Sequence, residues 1–372
     1  VVIRHIGRIN AYGCRTPVET YIFAYDDTGR RIAEALKRAA VRGVATHLLV
    51  DGFGSIGLSN TIMEDLGAAG VRVLKFRPKT SPWTLRRRRL RRLHRKIVVV
   101  DREIAFVGGI NIVDDMGMAN PTAPRYDYAV GVEGPLVADI HDSARHVWSR
   151  VAWSRMRDYW TRDVGGRSSS MELRGGVQSA FLVRDNIRHR RDIEDAYLRA
   201  IEQAQDEIIV ANAYFFPGLN FRHALLDAAG RGVRVVLLMQ GKKDHPLLQY
   251  ATQALYGRFL EAGIEIHEYR PSIMHAKVAV VDEHWATVGS SNLDPFSLLL
   301  SLEANVVVDD EAFAKKLKRS LNRAIRGESR RIAPKNWRTK PFRLRLASWL
   351  SYGLVRFMIG IAGYAPGNKR FR

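Results

Sequence analysis

Histidine and lysine two positions apart, followed by an aspartate and then an asparagine, occur twice in this chain. The first set is His94, Lys96, Asp101 and Asn111; the second is His275, Lys277, Asp282 and Asn292, each displaced by 181 residues. These side chains suit displacement at a phosphodiester. Such a substrate is anionic and repels anionic nucleophiles, whereas a neutral imidazole, with a pKa near ~6.5, attacks phosphorus at neutral pH without that penalty. The departing alkoxide needs a proton, which a second histidine supplies before acting as base toward an acceptor alcohol or water. The expected intermediate is a covalent phosphohistidine. Lys96 and Lys277 are candidates to stabilise the nonbridging oxygens, and Asn111 and Asn292 to bind the same phosphate. Side chains at i and i+2 of a strand share a face, so each His-Lys pair can point into one pocket. No ligand cluster accompanies the motifs, and neither a metal nor another cofactor is expected.

The repeated pattern H-x-K-x4-D-x6-G-[GS]-x-N resembles the HKD signature of the phospholipase D superfamily. That resemblance implies an α/β chain of two tandem phospholipase D-like domains, each an α/β/α sandwich, related by pseudo-twofold symmetry. It also implies a carboxylate downstream of each motif that orients the imidazole. Asp127, in Arg125-Tyr126-Asp127-Tyr128, is the match in the first half and is expected to support His94. Glu303, in Ser301-Leu302-Glu303-Ala304-Asn305, is the match in the second and is expected to support His275. Asp101 and Asp282 belong to the catalytic motifs, where fastening the motif is their expected task rather than contact with substrate. By the same likeness His94 is the expected nucleophile and His275 the acid and base.

The second half further resembles the bacterial cardiolipin synthases of the B type. The phrases that carry this are Ala254-Leu255-Tyr256, Glu268-Tyr269-Arg270, residues 285–297 and Leu302-Glu303-Ala304-Asn305. The likeness extends from about Val18 to Tyr364 and is poor over residues 9–15. It implies phosphatidyl transfer, in which two phosphatidylglycerol molecules give cardiolipin and glycerol. A phospholipase D-type hydrolase or a nuclease of the same superfamily is the alternative, favoured by charge alone.

The elements that must position these residues also recur. Residues 18–23 read as a core strand, 29–42 as a helix broken by Gly43, 44–50 as a buried strand, and 71–76 as a strand. In the second half 207–215, 233–239 and 264–269 read as strands, with helices at 220–231 and 248–262. The phrases around Gly43 and Gly232, and around Gly70 and Gly263, match one another, so the duplication covers whole domains. Alternating β and α elements give a mostly parallel or mixed sheet covered by helices. The expected limits are a first domain over 1–164, a linker over 165–176 around Gly165-Gly166-Arg167-Ser168-Ser169-Ser170, a second domain over 177–328 and a tail over 329–372. The chain opens at Val1 rather than Met, with the expectation that natural sequence precedes it.

A net charge of +21 points to a polyanionic partner. Between Gly70 and His94 the first half carries 12 residues more than the second half does between Gly263 and His275, and no acidic residue lies between Arg77 and Lys96. That insertion, with Trp83 and the run Arg86-Arg87-Arg88-Arg89-Leu90-Arg91-Arg92, is expected to meet phosphates of a ligand or membrane. No acidic residue follows Glu328. There a basic stretch precedes an apolar segment, 346–364, that contains Trp349, Tyr352, Phe357 and Tyr364. Aromatics beside a basic flank suit the interface of an anionic bilayer, so the tail is expected to be a basic amphipathic membrane-surface element. The partners expected are anionic phospholipid, phosphatidylglycerol in particular, and the membrane surface, with no nucleic acid; the chain is expected to be a monomer. A single cysteine, Cys14, precludes an internal disulfide. No apolar run free of charge reaches the ~18 residues of a spanning helix. The expected location is peripheral, on the cytoplasmic face of the cell membrane.

Overall fold

A computed structural model describes residues 15–78, 91–116, 123–154, 175–185, 187–242, 245–294, 300–338 and 341–361. Cys14, Trp83, Arg86 to Arg89, the Gly/Ser stretch at 165–170 and Tyr364 lie outside these residues.

In the first half the β-branched runs become strands β1 (Arg15–Thr20), β2 (Ala45–Asp51) and β3 (Arg72–Phe76), then the pair β4 (Arg92–Leu93), then β5 (Ile97–Val100), β6 (Ile104–Gly108) and β7 (Ala129–Glu133). The sheet runs β3-β2-β1-β5-β6-β7, its first three strands parallel and the rest antiparallel. All four residues of β5 are buried because both faces of the sheet are covered. Val98 and Val100 pack with Val18, Leu48 and Val50 under the helices Asp27–Val41 and Asn60–Ala68. Ile97 and Val99 face the other way, onto Val137 and Ile140 of the helix Leu136–Trp153.

The second half repeats this arrangement with β8 (Gln178–Arg184), β9 (Glu207–Asn212), β10 (Arg234–Gln240), β11 (Glu265–Tyr269), β12 (Lys277–Val281), β13 (Trp285–Gly289), β14 (Ser301–Asp309) and β15 (Ser329–Arg331). Its core order, β11-β10-β9-β12-β13-β14, is that of the first sheet strand for strand, with β15 added beside β11 and β8 beside β14. Helices Leu219–Gly230, Pro246–Gln253 and Tyr256–Glu261 cover one face and Glu311–Gly327 the other. Two α/β/α sandwiches result. Helix starts are fixed by side-chain caps: Asp26 accepts from the Gly29 amide at 2.9 Å and Asp310 from Phe313 at 2.7 Å. The four corresponding helix ends turn through Gly43, Gly70, Gly232 and Gly263, at φ of 87°, 94°, 93° and 81°. A side chain there would cost roughly 1–2 kcal/mol.

Three expected elements differ, one of them the strand read at 207–215, which ends at Asn212. The strand read at 18–23 occupies Arg15–Thr20, because Asn111 and Ser55 take the amides of Ile22 and Phe23 and turn the chain off the sheet. The single helix read at 248–262 is two, Pro246–Gln253 and Tyr256–Glu261. Thr252 donates its hydroxyl back to the Leu248 carbonyl and to Phe215, the kind of bond that bends a helix.

The halves join through a shared core and two short strand contacts. Ala304, Val306 and Val308 of β14 pack with Ile97, Val99 and Val107. The pair β4 leaves its own sheet and runs parallel to β14, while Tyr126 bridges Met274. Beyond Glu328 the chain returns to the second half. The helix Phe342–Ile361 buries Ser348 and Val355 and lays Tyr352 against Phe216, ring centres 5.4 Å apart. Among the described residues no helix is long and apolar enough to cross a membrane.

Candidate active site

Each His-Lys pair stands where a short interdomain contact enters the first strand of a β-hairpin. His94 follows β4, and its amide donates to the Leu302 carbonyl of the other half at 3.0 Å. His275 precedes β12, and its amide donates to the Tyr126 carbonyl, again of the other half, at 2.8 Å. Two residues on, Lys96 and Lys277 are buried and aim their ammonium groups back at the carbonyls of His94 and His275. The structure thus brings His94, Lys96, His275 and Lys277 into one cluster at the seam.

The supporting carboxylates cross that seam, which corrects the pairing expected from the sequence. Nδ1 of His94 lies 3.0–3.1 Å from the carboxylate of Glu303, and Nδ1 of His275 lies 2.7 Å from Asp127. The backbone is the reason. Leu302 is bonded to His94, so the next residue, Glu303, arrives at the His94 ring. Tyr126 is bonded to His275, so Asp127 arrives at the His275 ring. Neighbours fix the two carboxylates differently. Ser290 donates its hydroxyl to Glu303, whereas a Cβ on Gly109 would come within 2.4 Å of Asp127. The one variable small position of the repeated pattern is therefore matched to the length of the acid opposite it. A carboxylate on Nδ1 holds the proton there and turns the Nε2 lone pair outward.

Burial sets the electrostatics. It pushes His94 below the usual imidazole range, with Lys96 and Lys277 adding to the fall and Glu303 opposing it. It pushes His275 well below that range, helped by Lys277, Lys96 and His94. Burial also lowers Lys96 to about 7 and Lys277 to about 8, and raises Asp127 to about 6 against the pull of Lys277. Without an anion the cluster sheds charge. A phosphate placed among the two lysines and two imidazoles would restore it.

Asn111 and Asn292 are buried at the ends of the two hairpins, and Asn111 accepts from the Ile22 amide at 3.2 Å. Asp101 and Asp282 are elsewhere, which corrects their inclusion with the catalytic residues. Each sits just past the far end of its strand, roughly 16 Å from the lysine at ~3.3 Å per residue, in a left-handed turn at φ 52° and 49°. The Asp282 carboxylate accepts the amides of Gln205, Asp206 and Glu207 at 2.8–2.9 Å, fastening the turn to β9.

The sequence did not single out three neighbours. Tyr21 has its ring 4.9 Å from His94 with the Lys96 ammonium 5.5 Å from its centre, while the register of the second sheet puts Ala213 in the matching place. Asp51 takes the Leu93 amide at 2.8 Å and so sets the residue before His94. Ser290 braces Glu303. Their only signal is tertiary, apart from Ser290, which the motif already contained.

The geometry agrees with three comparisons. The family described as "Cardiolipin synthase, PLD-like domain" matches residues 9–121 and 197–325, one segment for each sheet. Cardiolipin synthase B of Escherichia coli (strain K12) is 40% identical over 355 residues, 95% of this chain and 85% of that protein. Minor cardiolipin synthase ClsB of Bacillus subtilis (strain 168) is 28% identical over 91% of this chain and 82% of its own length. Among solved structures, phosphatidylserine synthase of Haemophilus influenzae Rd KW20 superposes with a TM-score of 0.68 at 14% identity, covering 97% and 93% of the two chains, which shows the shared fold. A duplicated His-Lys motif, two sandwiches joined at it and this degree of identity have one reading: the chain belongs to the cardiolipin synthase family of phospholipase D-like proteins.

Proposed function

We propose that this chain is a cardiolipin synthase, a phosphatidyltransferase that converts two phosphatidylglycerol molecules to cardiolipin and glycerol. The observation that carries the mechanism is the crossed pair of imidazoles, each held by the other half's carboxylate beside a buried lysine. His94 attacks phosphorus through Nε2, and the P–O bond to the headgroup glycerol breaks. His275, charged once the phosphate is bound, gives that glycerol its proton. The headgroup hydroxyl of a second phosphatidylglycerol then loses its proton to His275 and attacks phosphorus, which frees His94 and completes cardiolipin. Lys96, Lys277, Asn111 and Asn292 bear on the nonbridging oxygens. These side chains supply nucleophile, acid, base and charge stabilisation, so no metal is invoked.

The substrate lies in a bilayer, and the chain is read as a monomer bound peripherally at the cytoplasmic face. Supporting this are the net charge of +21 and the outward row of Trp349, Leu350 and Phe357 on the helix Phe342–Ile361, each about three-fifths exposed or more. Purified protein given phosphatidylglycerol vesicles in EDTA should release cardiolipin and glycerol one to one, read by lipid mass spectrometry. Phosphatidic acid as the sole product would make it a hydrolase. Turnover abolished by EDTA and restored by one divalent ion would overturn the histidine-only mechanism.

A further inference from the structure

The loop after β2 carries two large apolar side chains into solvent beside the first histidine. Phe53 is 49% exposed and Ile56 66%. They do not stand out because the loop is loose. Asp51 accepts the amides of Phe53 and Gly54 at 2.9 and 3.0 Å and, with its other oxygen, that of Leu93. Ser55 donates to the Tyr21 carbonyl and accepts from Phe23, both at 2.9 Å, and the Gly52 amide donates to Phe76 at 2.7 Å. Gly54 lies so close to Tyr21 that a Cβ there would meet its carbonyl oxygen at 2.4 Å. The loop is thus bolted to Leu93 and Tyr21, both neighbours of His94, with its apolar tips held outward.

The second half has an apolar surface at the same end of its parallel strands. Phe216, just past β9, supports Tyr352, whose hydroxyl accepts from Arg222 at 3.2 Å. The outer face of that helix exposes Trp349, Leu350, Leu354 and Phe357. The last residue of β9, Asn212, pairs with Lys277. The loop and the helix therefore lie at the pocket end of the two sheets, one in each half. Arg92 brings a cation to the exposed tips: its guanidinium sits 4.9 Å from the centre of the Phe53 ring, within a segment, 77–96, that holds no acid. Cations beside exposed aromatic and aliphatic tips fit an anionic bilayer surface.

We propose that Phe53 and Ile56 are a second bilayer contact, inserted between anionic lipids, which with the C-terminal helix seats the pocket mouth flat on the headgroups. This rests on a substrate drawn from a membrane and adds where, and in what orientation, the chain meets it. The loop contact would lower the first histidine toward the phosphates, whereas the C-terminal helix alone would leave the chain free to tilt.

The test is the double variant F53S/I56S, assayed in parallel with the unaltered chain on phosphatidylglycerol vesicles and on dihexanoyl-phosphatidylglycerol below its micelle concentration. Vesicle turnover should fall by at least ~10-fold, the effect of withdrawing one buried apolar side chain, while turnover of the monomeric lipid should stay within about twofold. Flotation with vesicles that contain or lack phosphatidylglycerol reads the contact without turnover, and the variant should float less with the anionic ones. Unchanged flotation and vesicle turnover would overturn the proposal. Equal loss on both substrates would mean that the loop positions His94 instead. A dimer in sedimentation velocity that the variant splits would make a second copy of the chain the occupant. An unaltered chain that floats but forms no cardiolipin would refute the proposed reaction and leave the contact standing.

Discussion

Glu303 is bonded to His94 and Asp127 to His275, and this crossing is open to a direct check. E303Q and D127N should each lower kcat by at least ~10²-fold, since each removes the charge that steadies one imidazolium. They should fail at different steps. With His94 as nucleophile, E303Q slows only formation of the phosphoenzyme, whereas D127N, acting through the acid and base His275, slows both that step, in which the headgroup departs, and the return step. Rapid-quench kinetics separates these, and the reverse pattern would mean that each acid serves its own half. A second consequence concerns protons. Burial depresses Lys96 to about 7 and Lys277 to about 8. The unfolded chain, with lysines near ~10.4, then binds more protons above those values, so these groups make stability rise with pH between about 7 and 10. A bound phosphate favours the charged lysines and reverses the depression. Binding of dihexanoyl-phosphatidylglycerol at pH 7–8 should therefore take up protons, seen by calorimetry in buffers of different ionisation enthalpy, and affinity should weaken toward pH 9. No proton uptake would mean that the lysines are already charged. Types and spacing made the two histidines and two lysines legible. The crossing was not legible, because it depends on which backbone Leu302 and Tyr126 bond, and both partners lie in the other half.

At the scale of elements, the helix Phe342–Ile361 divides its residues between a packed and an exposed face. Tyr352 and Val355 face the protein, and Trp349, Leu350 and Phe357 face outward. Replacing the outward three with serine should leave the thermal midpoint nearly unchanged, because they bury little surface in the fold. The same change should weaken flotation with phosphatidylglycerol vesicles. The residual binding should be the more sensitive to salt, since charges exposed at the surface are screened within about 8 Å at physiological ionic strength. Undiminished flotation would show that this face does not meet lipid. The composition of the tail announced an apolar segment but not how its residues divide, which the ring of Phe216 and the guanidinium of Arg222 decide. Elsewhere the glycines at 43, 70, 232 and 263 marked the helix ends correctly, since a left-handed residue is a local requirement visible in one letter. Strand ends were misjudged where side chains from distant segments capture backbone amides, as Asn111 and Ser55 do beyond Thr20.

The whole molecule is a near-repeat folded onto itself, and its residual asymmetry is where division of labour enters. The first half has a buried ion pair, Arg95 to Glu19 at 2.9 Å, where the second half's register places Ala276 and Ala211. It also has Tyr21 where the second has Ala213, and an aspartate opposite glycine where the second has a glutamate opposite serine. The duplication was plain from the sequence, and it implied two like sheets. That the site exists only when both are joined follows from β4 on β14 and Tyr126 on Met274, contacts of two residues or fewer that no pattern announces. In the proposed reaction one imidazole from each half acts in a single pocket through a covalent intermediate on His94. Intact-protein and peptide mass spectrometry of the H275A variant, supplied with a phosphatidyl donor bearing a good leaving group, tests this most directly. One phosphatidyl adduct is expected, on His94, and none in H94A. An adduct on His275 in the H94A variant, or turnover by the unaltered chain with no adduct on either histidine, would contradict it.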